Sequence, residues 1–189
     1  MIFLTLMRAF ELIGARTGKE ERLMAHLMKL EHVREVHLLT GKWDVMATLA
    51  FETLETGAVD PREDVLDLVT GKIRRMPLVR DTSTIVPAMS LMRERLSTNP
   101  RQRGYAFVFM STKLGKEREV MNQMMNLEEV AESHLLLGKS DVLAVLHFER
   151  GITPPVLERV ARIVTEKIAK TDNVVETQTL CPIKSIIKQ

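Results

Sequence analysis

The 189-residue chain sets 27 Lys and Arg against 25 Asp and Glu, a formal charge of +2, with 45% apolar and 28% charged residues. That balance fits a folded globular chain, contains no run of about 18 apolar residues that would span a membrane, and is too even to mark a nucleic-acid surface. A single cysteine, Cys181, excludes an internal disulfide, and residues 1–7 are apolar but lack the basic leader and length of a secretory core, so the expected compartment is the cytoplasm.

Residues 1–7, rich in Ile, Phe and Thr, suit a short strand at a sheet edge. Ala9-Phe10-Glu11-Leu12-Ile13-Gly14 reads as the first strand of a repeat and returns as Ala106-Phe107-Val108-Phe109-Met110-Ser111. Gly18-Lys19 and Gly115-Lys116 each introduce helical spacing, Leu23, Leu27 and Leu30 in one copy and Val120, Met124 and Leu127 in the other. Glu20 and Glu21 sit in the first turn, where they suit the positive end of the helix dipole.

A β-hairpin follows in each copy: residues 33–39 and 44–52 flank Thr40-Gly41-Lys42-Trp43, and residues 130–136 and 141–149 flank Leu137-Gly138-Lys139-Ser140. About 20 of the 35 positions from Gly18 to Glu52 are identical 97 residues later, which amphipathic patterning alone does not produce. Past the hairpins the offset shrinks by two, placing the length difference in the loops 53–61 and 150–155. A second helix carries Val65, Leu68, Val69, Ile73 and Met76, matched by Leu157, Val160, Val164 and Ile168, with Pro61, Pro154 and Pro155 at the starts. Each copy closes on a threonine-rich strand, 81–87 or 176–182, in which Thr82 and Thr84, or Thr177 and Thr179, share a side.

The order strand, helix, strand, strand, helix, strand predicts an α+β protein of two tandem ferredoxin-like βαββαβ domains, residues 1–88 and 105–189. A linker at 89–104 holds a short possible helix, 91–96, and the arginines Arg93, Arg95, Arg101 and Arg103, which are more often solvated than bound to nucleic acid. Helices cover one face of each sheet, leaving Met46, Thr48 and Ala50, or Leu143 and Val145, on the other. That second face is too apolar for water, so sheets packed face to face, within or between chains, are expected.

Taken together, Gly-Lys before the first helix, the Glu-Val-His-Leu-Leu-Thr-Gly-Lys-Trp-Asp-Val hairpin, Lys-Ile late in the second helix and Thr-x-Thr in the last strand resemble the ligand-binding domain of Lrp/AsnC regulators, twice over. The resemblance implies the dimeric α+β barrel type of fold and a tandem effector domain without the family's helix-turn-helix, since only residues 1–8 precede the first strand. It further implies a non-enzymatic sensor or transcription modulator that binds an amino acid or similar small effector and acts as a homo-oligomer or in assembly with full-length Lrp/AsnC regulators, with no cofactor and no sequence-specific DNA contact of its own. The alternatives are a structural adaptor for such regulators and a haem-binding or enzymatic barrel protein. The implied ligand-binding residues are Thr40, Gly41, Lys42, Trp43 and Asp44 in the first copy and Gly138, Lys139, Ser140 and Asp141 in the second; Ser140 departs from the aromatic residue that family pockets carry where Trp43 stands.

Each of these residues also has a plain structural role open to it. Asp44 and Asp141 either bind an α-amino group or hold the turn through backbone N–H groups. Gly41 and Gly138 suit a positive φ, and Lys42 and Lys139 either pair with a carboxylate or are solvated. His37 and His134, each two residues from a glutamate (Glu35 or Glu132), fall short of a metal site and are expected as sheet-face histidines at a domain contact. Cys181 lacks a base partner and reads as a small apolar residue, and Met121, Met124 and Met125 read as packing.

Overall fold

The computed structural model describes residues 4–54, 60–93, 103–149 and 155–188. Two compact units emerge, one of Met1–Val86 with Ile183–Gln189 and the other of Pro87–Pro182. In the first, β1 (Leu4–Ala15), α1 (Glu20–Leu27), β2 (Val33–Leu38), β3 (Val45–Leu54), α2 (Pro61–Asp67) and β4 (Val79–Ile85) run in the expected order. The second repeats it as β6 (Arg103–Thr112), α3 (Glu117–Met124), β7 (Val130–Leu135), β8 (Val142–Glu149), α4 (Val156–Ile163) and β9 (Val174–Leu180). Both units are ferredoxin-like, and the α+β expectation holds.

Two further strands were not foreseen. β5 (Met89–Met92) pairs antiparallel with β7, and β10 (Lys184–Ile187) pairs antiparallel with β2. The sheets are therefore five-stranded, ordered β10-β2-β3-β1-β4 and β5-β7-β8-β6-β9. Leu91 and Met92 lie in a strand rather than in the expected helix over 91–96, whose remainder falls outside the described residues except Arg93. Four residues cannot close a useful stretch of helix, whereas β7 offers a bare row of backbone groups. The chain thus leaves one unit at Val86 and leaves the other at Pro182, each time just as its own fourth ferredoxin strand ends. Residues 4–7, expected at an edge, instead form the first part of β1 against β3 in mid-sheet.

Local chemistry explains the helices. Gly18 (φ +73°) and Gly115 (φ +77°) turn the chain in the left-handed region, and their N–H groups donate to Glu20 and Glu117 at 2.9 Å. Its own backbone N–H and then that of Gly115 hold the Glu117 carboxyl below its ordinary pKa. Asp60 caps α2 by accepting from the Arg62 N–H, with Pro61 at the first helical position; Pro154 falls outside the described residues. Both second helices widen into a π turn, at Leu68–Ile73 and Val164–Ile168. In both, a threonine hydroxyl bonds back one turn, Thr70 to the Leu66 carbonyl and Thr165 to the Ala161 carbonyl, a bond that loosens the α ladder where the register changes.

Against one face of the first sheet, Leu23, Met24 and Leu27 of α1 and Val65, Leu68, Val69 and Ile73 pack on Ala9, Ile13, Val45, Ala47, Leu49 and Phe51. Fully buried leucines such as Leu23 contribute about 1.5–3 kcal/mol each. The equivalent core of the second unit substitutes Val120, Met121 and Met124 on α3, the adaptable packing expected of the methionines. On the opposite faces Met46, Thr48, Ala50, Leu143 and Val145 are all buried.

Candidate functional site

The two hairpin turns hold the residues marked by the repeat. Asp44 Oδ2 accepts from the Ala15 N–H at 2.8 Å, and Asp141 Oδ2 accepts from the Thr112 N–H at 2.7 Å, so each turn is tied to the end of the first strand of its unit. Backbone bonds fix the same arrangement from both sides: the Asp44 N–H donates to the Ile13 carbonyl and the Leu39 N–H to the Asp44 carbonyl, repeated by Asp141 with Met110 and Leu136. The carboxylates are half-buried, and Thr40, Gly41, Lys42, Gly138 and Lys139 are exposed around them.

Gly41 turns at φ +115°, as expected, but Gly138 does not adopt a positive φ. The two turns therefore differ in backbone as well as in side chains. In the first, Lys42 Nζ stands 5.2 Å from the centre of the Trp43 ring, a cation–π distance, and Trp43 is half-buried. In the second, Ser140 occupies that position and leaves Lys139 without a ring to cover.

A second constellation, only half anticipated, lies on the sheet face away from the helices. His37 Nδ1 is 2.9 Å from Ser185 Oγ and its Nε2 is 3.5 Å from Glu35 Oε2; His134 Nδ1 is 2.8 Å from Ser90 Oγ and its Nε2 is 3.2 Å from Glu132 Oε2. All four His and Glu side chains are buried. A carboxylate only accepts, so in a neutral ring Nε2 carries the proton and Nδ1 accepts from the serine hydroxyl. Each row lines up a serine, a histidine and a glutamate, and the histidine approaches the carboxylate to hydrogen-bonding distance in the second unit.

The histidines and glutamates were picked out from the sequence, but the serines were not. Ser90 and Ser185 arrive on β5 and β10, and the signal was present: Pro87-x-x-Ser90-x-x-Arg93 returns as Pro182-x-x-Ser185-x-x-Lys188 at the offset of 95 that relates Thr82 to Thr177. Arg93 donates to the Met125 and Glu128 carbonyls, while Lys188 donates to the Leu30 and Glu31 carbonyls, so each basic residue caps the carbonyls that follow the first helix of the unit it completes. Arg95 and Arg101 lie outside the described residues. Cys181 is half-buried against the second core, and burial pushes its thiol above 9.0, away from a reactive thiolate.

No protein-family model matches the sequence, and no curated protein does. Among solved structures, the siroheme decarboxylase NirDL matches with a TM-score of 0.64 at 11% identity, over 97% of this chain and 75% of that one. FFRP-DM1 is 29% identical over 46% of this chain and 97% of its own, with a TM-score of 0.35. Escherichia coli AsnC is 15% identical over 69% of this chain and 77% of its own, with a TM-score of 0.42. The structural neighbours thus include Lrp/AsnC-type regulators as well as an enzyme, and the chain has the fold of dimeric α+β barrel proteins. This corrects the expectation that the chain is not an enzyme: a fold shared along almost the whole chain with a decarboxylase is one that carries catalysis, so the non-enzymatic reading is withdrawn. Among the described residues, no helix is long and apolar enough to cross a membrane.

Proposed function

We propose that the chain is a small-effector-binding regulatory protein of the Lrp/AsnC type that takes an amino acid at the turn of Gly41 to Asp44. The observation that carries this reading is the twice-built turn whose aspartate is pinned by the end of the first strand, at 2.8 and 2.7 Å. Fixed in this way, Asp44 meets an α-amino group, Lys42 an α-carboxylate, and Trp43 covers the apolar part of the ligand. The protein works from the cytoplasm, as a homo-oligomer or together with full-length regulators.

Trp43 is the chain's one tryptophan, so the intrinsic fluorescence reports on this turn alone. Titration with the twenty amino acids is expected to shift that emission for at least one of them, and the same ligand raises the melting temperature by mass action. Asp44→Ala is expected to weaken binding by about 1.5–3 kcal/mol, roughly ten- to a hundredfold, and Asp141→Ala by less, because Ser140 offers no ring. Circular dichroism must first establish that both variants fold, given the bonds to Ala15 and Thr112. Equal affinity of the parent and Asp44→Ala would remove the site from this turn.

A second reading has one specific observation in its favour. A buried Ser–His–Glu row in each unit, on a fold shared with a decarboxylase that has been crystallised with an iron-uroporphyrin III analogue, suits proton transfer to a bound tetrapyrrole. Under it, His37→Gln and His134→Gln abolish conversion of siroheme. A flat difference spectrum on adding siroheme to the purified chain would end this reading.

A further inference from the structure

The two repeats differ at exposed positions of their turns. In the second unit Leu114 is 98% and Leu137 83% exposed, extreme values for leucine. They lie on neighbouring turns, since Asp141, four residues after Leu137, accepts from the Thr112 N–H and lies within reach of its hydroxyl. Lys113 and Lys139 flank them, exposed and without an ion pair among the described residues, while Lys116 is held by Glu119 at 2.9 Å. The first unit carries Thr17 and Thr40 at the positions of the two leucines. Nothing in the hairpin's own folding requires leucine there.

The complementary surface lies on the first unit. On α2, Leu66 is 61% exposed, with Glu63 and Asp67 beside it, Arg62 one turn before it and Asp64 toward the far side of the helix; none of the three acids has an ion-pair partner among the described residues. Its counterpart α4 carries Ala161 in place of Leu66, the 67% exposed Leu157 in place of Arg62, and Arg159 and Arg162 in place of Asp64 and Asp67. The sign is reversed at both charged positions, so the lysine-flanked tip that α2 would attract, α4 would repel.

We infer that the leucine tip of the second unit in one chain docks on the acidic face of α2 in another, a head-to-tail contact between copies. Each partner surface is apolar at its centre and charged at its rim, with opposite signs, the arrangement that gives an interface both burial and orientation. Two different patches are used, so the contact is heterologous and leaves each chain with one tip and one α2 face to offer.

Sedimentation velocity on the full chain, from micromolar to near-millimolar concentration, tests the contact. The parent is expected to associate with concentration and to dissociate as salt is raised. Leu114→Thr with Leu137→Thr, the side chains the first repeat itself carries, should fold normally and weaken association roughly tenfold or more. Lys113→Glu with Lys139→Glu in one variant, and Asp64→Lys with Asp67→Lys in another, should each abolish self-association, and mixing the two should restore it between them. A parent that stays monomeric, association indifferent to the leucine pair, or reversed variants that fail to complement when mixed would overturn the inference. So would a monomeric parent that the leucines hold on anionic phosphatidylserine vesicles, which would assign the tip to a lipid surface.

Discussion

A chain ending at Pro182 is expected to lose most of the stability of its first unit while the second still melts as a cooperative body. β10 supplies a whole edge of the first sheet: Ile183 and Lys188 donate backbone N–H groups to the Leu38 and Arg34 carbonyls, and Ile186 packs against the core between them. Ser185 gives buried His37 its Nδ1 partner, and Lys188 satisfies the carbonyls of Leu30 and Glu31. Leaving one buried polar group unsatisfied costs about 1–3 kcal/mol, and the lost strand removes apolar cover besides. Together these reach several kcal/mol, comparable to the whole 5–15 kcal/mol that a typical domain holds. The bare edge of β2 then invites pairing with other chains. Differential scanning calorimetry should show an early first transition and a retained second one, and limited proteolysis should cut first within residues 4–86. A single transition at the parent's temperature would show that β10 is dispensable. By contrast, the exposed pair of Lys184 and Glu21 at 2.7 Å contributes little, and Lys184→Ala should leave the melting profile unchanged.

Most of the fold was legible because the repeat doubled every weak signal. A helix marked by Leu23 and Leu27 is ordinary on its own; the same spacing at Val120 and Met124, behind the same Gly-Lys, is not coincidence. The split of each sheet face was readable too, since period-two alternation put Met46, Thr48 and Ala50 away from Ala47 and Leu49. β5 and β10 escaped because four-residue strands carry almost no periodicity, and their pairing partners are distant in sequence, 40 residues from Met92 to Glu132 and 146 from Leu38 to Lys184. The serines went with them. Gly138 departs from the positive φ that a glycine in a turn usually signals, whereas Gly41 at the same place in the first repeat keeps it. Glu11 passed unremarked for a plainer reason, that alternation assigns a face and not a depth.

Glu11→Val is expected to stabilise the protein at neutral pH by about 1–3 kcal/mol, the range for a buried polar group without full compensation. Glu11 lies fully buried in mid-sheet, on the helix-covered face with Ala9 and Ile13, and neither carboxyl oxygen has a hydrogen-bond partner of ordinary geometry. Burial pushes its carboxyl above 4.5, against the opposing pull of the Thr84 and Thr82 hydroxyls and the Arg74 guanidinium. Arg74 donates its Nε–H to the Thr82 hydroxyl at 2.8 Å, and its charge is the weakest of the three opposing pulls. The second repeat shows that the position accepts an apolar side chain, because Val108 stands there, fully buried on β6 opposite Thr179. A carboxyl raised on folding binds its proton more tightly in the folded state, so its contribution is favourable below about 4.5 and is lost as pH rises through the folded value. The stability gap between Glu11→Val and the parent should therefore be smallest near pH 4 and widen toward pH 7. Urea titrations of both proteins at a series of pH values measure that gap directly, and a gap that is constant with pH would mean that the carboxyl titrates alike in both states and that burial does not govern it.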